Sequence, residues 1–192
     1  VSTELLAKDA TNKFYARAPR LRMSAEMVRD NALAISGLLS TKMHGPPIYP
    51  PQPSGIWRHV GRNAPKYIAA TNEDRFRRGV YVVWRRGAPY VSFMNFDAPD
   101  RGACVVRRPR TNTPLQALTL LNDEAYIEMA IAFAGRILNE AKGTPEAKIN
   151  YAYKTALGRA PRAAEAIYLK KLLLKRRTHF EKNPKEAALL IS

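Results

Sequence analysis

Arg107-Arg108-Pro109-Arg110-Thr111-Asn112-Thr113-Pro114-Leu115-Gln116-Ala117-Leu118-Thr119-Leu120-Leu121-Asn122-Asp123-Glu124 is the stretch from which the rest of the chain is read. Its second half predicts a helix start. Thr113 suits the N-cap, Pro114 the first helical position, where its missing N–H would go unused, and Gln116 the third position of a capping box. Leu115, Leu118 and Leu121, with Ala117 and Leu120, leave a broad apolar stripe, so this helix is expected to be buried over most of its circumference. Arg107, Arg108 and Arg110 precede it, at the end where unpaired backbone N–H groups already carry partial positive charge. Such a concentration of positive potential requires a negative partner, either carboxylates of the same protein or an anionic ligand.

Downstream, everything reads as helix. Asp123 caps a helix to about Ala141, with Ile127, Ala130, Ile131, Ala134, Ile137 and Leu138 as its buried stripe. Gly143 stops it. Thr144-Pro145 repeats the cap-plus-proline signal for a helix to Leu157, which Gly158 ends. Pro161 opens another through about Arg177, with Ile167, Tyr168, Leu172 and Leu174 inside and Lys170, Lys171 and Lys175 outside, and Asn183-Pro184 starts a last one.

Upstream, Val1 to Leu21 reads as an extended opening segment stiffened by Pro19. Ser24 then caps a helix to about Ser40, carried by Met27, Val28, Ala32, Ile35, Leu38 and Leu39 at helical spacing. Its acids, Glu26 and Asp30, are candidate counter-charges for the arginines near position 108. Gly45 to Pro53 holds five prolines, so it can be neither helix nor central strand and is expected to cross the surface in polyproline II form. Ser54 to Val60 is expected to make one helical turn carrying Trp57 inward. Gly79 to Trp84, rich in β-branched and aromatic residues, reads as a strand paired with Tyr90 to Phe96. The expected fold is mainly α: an irregular helical domain with a long Pro-rich loop and a short two-stranded β element. Residues 1–192 are expected to form the C-terminal portion of one larger helical domain, with an irregular Arg/Pro-rich half at 1–106 and a helical half at 107–192.

Composition narrows the function classes. At 192 residues and 46% hydrophobic, the chain can bury a real core. No apolar run is long enough to span a bilayer. No signal peptide is present, and a start at Val1 suggests a piece of a longer protein. The 32 Lys and Arg against 16 Asp and Glu give a net charge of +16, which raises nucleic acid as a partner. The arginines, however, are interleaved with Pro, Gly and aromatic residues rather than aligned on one helix face, and this argues against it. The single cysteine, Cys104, excludes an internal disulfide and a Cys-x-x-Cys-His haem motif, and reads as a small buried hydrophobe. His44, His59 and His179 lack metal-ligand spacing, so no cofactor or metal is expected in this segment. Asp97 and Asp100 resemble paired carboxylates, but turn formation is the plainer account, and no catalytic set stands out.

Several phrases together carry a resemblance. They are Arg17-Ala18-Pro19-Arg20 with Arg22, Ala25-Glu26 with Arg29-Asp30, Pro51-Gln52-Pro53 with Gly55 and Trp57, and Arg77-Arg78 with Tyr81. Phe96-Asp97-Ala98-Pro99 with Arg101, the run Arg107 to Leu118, and Leu157-Gly158-Arg159 with Pro161 complete the set. The sequence resembles the planctomycete-specific family known as domain of unknown function 1553, the C-terminal part of large proteins carrying cytochrome c-like domains. That resemblance implies an exported, extracytoplasmic multidomain protein with haem in a separate N-terminal domain. The partners it implies are those N-terminal domains. It implies no catalytic residues. Glu124 departs from the family pattern, which often has Pro there.

Two readings of the basic cluster remain open. In one, Arg20, Arg22, Arg101, Arg107 and Arg108 are internal staples to Glu26, Asp30, Asp97 and Asp123, making the segment a structural or docking module. In the other, Arg107, Arg108 and Arg110 before Thr113 bind an anionic polysaccharide or another anion, with Asp97 and the rings of Trp84, Tyr90 and Phe96 nearby.

Overall fold

Leu33, fully buried, lies midway along the helix on which the first half of the chain is assembled. In a computed structural model that describes residues 3–17, 21–59 and 66–191, the helices are α1 (Thr3–Lys8), α2 (Ala25–Ser36), α3 (Val91–Asn95), α4 (Pro114–Asn122), α5 (Glu124–Glu140), α6 (Pro145–Leu157), α7 (Ala163–Lys182) and α8 (Pro184–Ile191). Single 3₁₀ turns at Ile56–His59, Glu73–Phe76 and Gly79–Tyr81 punctuate the loops. The protein is mainly helical, as the sequence predicts.

α2 stops at Ser36, short of the expected Ser40, because Gly37 takes the left-handed conformation (φ 81°) and returns its N–H to Ala34 and Leu33. Ser24 occupies the N-cap position without using its side chain as a cap. The buried face is Ala25, Arg29, Leu33 and Ser36, not the line through Met27 and Ile35, and Met27 is exposed. Helical spacing was correct, but the face is rotated. It is fixed by what packs against it: α3, α5 and the turn at Gly79. Gly79 sits so close that an added Cβ would lie 3.0 Å from the Glu26 backbone, while its N–H donates to Asp30 Oδ1 at 2.5 Å.

The expected hairpin does not form. Gly79–Tyr81 closes into a 3₁₀ turn and Val91–Asn95 into α3. Val82 is bridged instead to the Pro-rich strap: Ile48 N–H donates to Tyr81 O at 2.8 Å and Val83 N–H to Ile48 O at 2.9 Å. Strand propensity mainly reports a fit to a half-buried pleated surface, and here the strap supplies that surface. The strap crosses the surface at its ends, where Gly45, Pro46, Pro47 and Pro53 are exposed, but dips into the core at Ile48 and Pro50, both buried. Arg77, 1% exposed, gathers it. Its guanidinium donates to the carbonyls of Lys42 and Pro46, each at 3.4 Å, and to that of His44, and stacks 4.0 Å from the Tyr81 ring centroid. Trp57 is partly buried on its turn, edge-on to Tyr49 and Tyr67; Val60 lies outside the described residues.

Ile48, Val82, Tyr90, Phe93, Phe96, Tyr126 and Met129 complete the core around Leu33. In the second half most predicted boundaries hold, α7 running on to Lys182 past the expected Arg177, and the predicted faces do not hold. Thr113 and Gln116 form the capping box of α4, Asp123 caps α5, Thr144 caps α6, and Gly158 ends it at φ 66°. Yet α5 buries Ala125, Tyr126 and Met129, while Ala130, Ala134 and Leu138 of the expected stripe are exposed. α7 buries nothing, and Ile167, Tyr168, Leu172 and Leu174 face outward. At its start the Arg159 guanidinium and the Arg162 N–H bond Glu165 and hold its carboxyl down at about 2. The opening segment is helical at Thr3–Lys8 rather than extended. Among the described residues no helix is long and apolar enough to cross a membrane.

Candidate functional site

The loop from Arg107 to Asn112 enters α4 with Pro114 at its first position, and folds against the N-terminus of α2. A cavity of about 230 Å³ opens between them, lined by Arg22, Ser24, Asp97, Arg107, Arg108 and Arg110 among others. Four arginines thus converge from two segments more than eighty residues apart.

Their partners differ. Arg108 Nη1 meets Glu26 Oε2 at 2.7 Å. Partial burial pushes the Glu26 carboxyl up, but the hydrogen bond and charge of Arg108 outweigh it and leave the carboxyl below its ordinary value. Arg22 donates to the Gln116 side-chain carbonyl, a neutral acceptor. Arg107 and Arg110 make no ion pair among the described residues. Arg101 stacks 4.5 Å from the Trp84 ring centroid. Arg20 lies outside the described residues.

The acids expected to receive these arginines are mostly engaged elsewhere. Asp30 binds Arg78 Nε at 3.2 Å and the Gly79 N–H. Asp97, at φ 61°, accepts from the Thr111 N–H at 2.7 Å and from its hydroxyl at 2.8 Å, fixing the loop that carries the arginines. Asp123 accepts from the Ala125 N–H at 3.0 Å, and burial raises its carboxyl above the usual range. Asp100 accepts from the Gly102 N–H at 2.8 Å, a turn rather than half of an acid–base pair.

Gln116 is the residue that sequence reasoning placed but undervalued. It is 2% exposed, donates to Thr111 Oγ1 at 3.1 Å, and accepts from Arg22 while closing the cap with Thr113. Its signal was a polar residue on a leucine-rich helix. Arg29 was missed more completely. Only 2% exposed, it donates to Arg75 O at 2.5 Å, and its Nε has no partner. Its charge reaches Tyr67, Tyr90, Tyr126 and Asp123, whose pKa burial pushes up and Arg29 pulls down. The available signal was its place on one helical face with Ala25 and Leu33.

The rings nominated for ligand stacking are taken. Tyr90 and Phe96 are core residues, and Arg101 covers Trp84. Cys104 is exposed rather than buried, because the segment 101–115 is exposed throughout. Among the described residues no cluster of His, Cys, Asp or Glu is placed to hold a metal ion.

The α4 leucines overturn the strongest expectation from the sequence. Leu115, Leu118, Leu120 and Leu121 are exposed, Leu121 at 71%. The buried side is Gln116 and Thr119, whose hydroxyl accepts from Asn95 at 2.9 Å. The amphipathic pattern is real, but the wider apolar face has no cover among the described residues.

Against known proteins, the model of a family described as "Protein of unknown function (DUF1553)" matches residues 1–173, and the chain belongs to that family. No curated protein and no solved structure matches it.

Proposed function

We propose that this member of the family is a structural or docking module of a larger exported, cytochrome c-associated multidomain protein. The carrying observation is the row of exposed leucines on α4 beside a cavity rich in arginine. Monomeric proteins rarely leave apolar rows of this kind uncovered, and apolar anchors with arginine at their edge are the usual make-up of an interface. The cytochrome c association and the extracytoplasmic setting rest on the family resemblance. The Arg108–Glu26, Arg78–Asp30 and Arg75–Glu128 pairs support the internal half of the reading: they tie α2 and α5 to the loops and so hold the face in shape. Hydrogen exchange tests it. In the full-length polypeptide, residues 114–122 should exchange markedly more slowly than in the 192-residue chain alone; equal rates would refute docking through α4.

A second reading is favoured by one specific feature: Arg22, Arg107 and Arg110 line the cavity and pair with no carboxylate among the described residues, while Asp97, the acid in the lining, is held by Thr111. That supports capture of an anion such as the sulfate or carboxylate of an acidic polysaccharide. Calorimetric titration with sulfated and uronic oligosaccharides should give saturable heat that Arg107→Ala with Arg110→Ala removes. Silence at millimolar ligand would discard it. Retention on DNA that falls steeply with salt would point to phosphate instead.

A further inference from the structure

Along the C-terminal half of α5, beyond its core residues Ala125, Tyr126 and Met129, α5, α6 and α7 enclose an open groove of about 710 Å³. Its floor and walls are apolar: Phe133, Ile137, Ile149, Tyr153, Leu169 and Leu173 line it. Leu138, Leu157, Leu172 and Leu173 are solvent-exposed along it, so it is a trough rather than a closed cavity. α8 does not cover it. That helix packs on α7, contributes no residue to the groove lining, and leaves Leu190 and Ile191 exposed. At the edge stand Lys148 and Arg176, which have no ion-pair partner among the described residues.

We infer that this groove is a docking site for an amphipathic helix of a partner protein, its apolar face seated between α5 and α7 and its flanking carboxylates on Lys148 and Arg176. Shape argues for a helix. A trough bounded by three helices continues the bundle when a fourth rod lies in it, and the volume equals about six residues of helix, or the apolar anchors of two turns. Charge argues for an acidic one. The whole chain carries +16, so a second copy is repelled where an acidic segment is attracted. The inference does not depend on α4 or on the arginine cavity.

The test uses two synthetic amphipathic peptides of about 18 residues, long enough to populate helix. They share one apolar face and carry either Glu or Lys on the other. Fluorescence anisotropy with the intact chain should show saturable binding of the Glu peptide, at least tenfold tighter than the Lys peptide. Ala152→Trp, which fills the groove, should abolish it, and Arg176→Glu should reverse the preference between peptides. If Ala152→Trp fails to fold, Leu173→Arg, on the exposed face of α7, serves in its place. Leu118→Asp on α4 should change nothing, which separates this site from the docking surface proposed above. Equal affinity for the two peptides would overturn the inference. So would sedimentation as a dimer that the groove variants dissociate, or displacement of nothing but a long-chain anionic amphiphile.

Discussion

Around α2 the molecule buries charge and polarity; along α7 no side chain is fully buried. Arg29, Arg77, Gln116 and Thr119 lie inside, each with directed hydrogen bonds to backbone or side chains. α7, the longest helix among the described residues, shows solvent its lysines together with Leu172, Leu173 and Leu174. The leucine face of α4 is likewise exposed, while α2, whose inner face includes an arginine, is central. The difference teaches that amphipathicity states what a helix can bury, and its neighbours decide what it does bury. α5, α3 and the turn at Gly79 supply those neighbours for α2. For α7 they are missing from the described residues over most of its length.

The comparison can be broken by substitution, and the largest effect is expected at Leu33. Leu33→Ala should lower stability to denaturant by about 3 kcal/mol, since a fully buried leucine leaves a cavity. A loss under about 1 kcal/mol would mean that the α2 core is not the stabilising centre. Gly79→Ala should cost about 2 kcal/mol, because its Cβ would press on the Glu26 backbone, which has no flexible end to move aside. Thr113→Ala should cost about 1 kcal/mol through loss of the α4 cap, and circular dichroism should show fraying there before global unfolding.

Arg108→Ala should cost at most about 1 kcal/mol, because the pair is partly solvent-screened. Its pH dependence sharpens the point. The Glu26 carboxyl sits below its ordinary 4.5 in the folded protein, so its contribution is present above that value and lost as pH falls through the lowered folded value. The difference between wild type and Arg108→Ala should therefore shrink in acid; a difference that grows would contradict the pairing. Smallest of all, Ile167→Ala on α7 should change stability by less than about 0.5 kcal/mol. A large loss there would mean that the second half is packed more tightly than its exposure suggests.

What was legible, and what was not, follows the same physical divide. Thr113, Pro114, Asp123, Thr144, Gly143 and Gly158 marked helix ends correctly, because capping is settled within four or five residues of chain. The candidate site was legible as a cluster: Arg22, Arg107, Arg108 and Arg110 do converge. Which acid each would find was not, because Asp30 and Asp97 had nearer donors in Gly79, Arg78 and Thr111. The hairpin failed for a related reason. Gly79 to Trp84 has strand composition, but the Pro-rich strap is what pairs with Val82, and Val91–Asn95 forms α3.

The sequence by itself determined that this protein is mainly helical, where α4, α5 and α6 begin, and that arginines gather before α4, since each depends on short-range backbone chemistry and local charge. Only the tertiary structure decided which faces are covered. It turned Arg29 and Arg77 inward and the leucines of α4 and α7 outward, because burial is a property of two surfaces meeting and a single stretch of chain specifies only one of them.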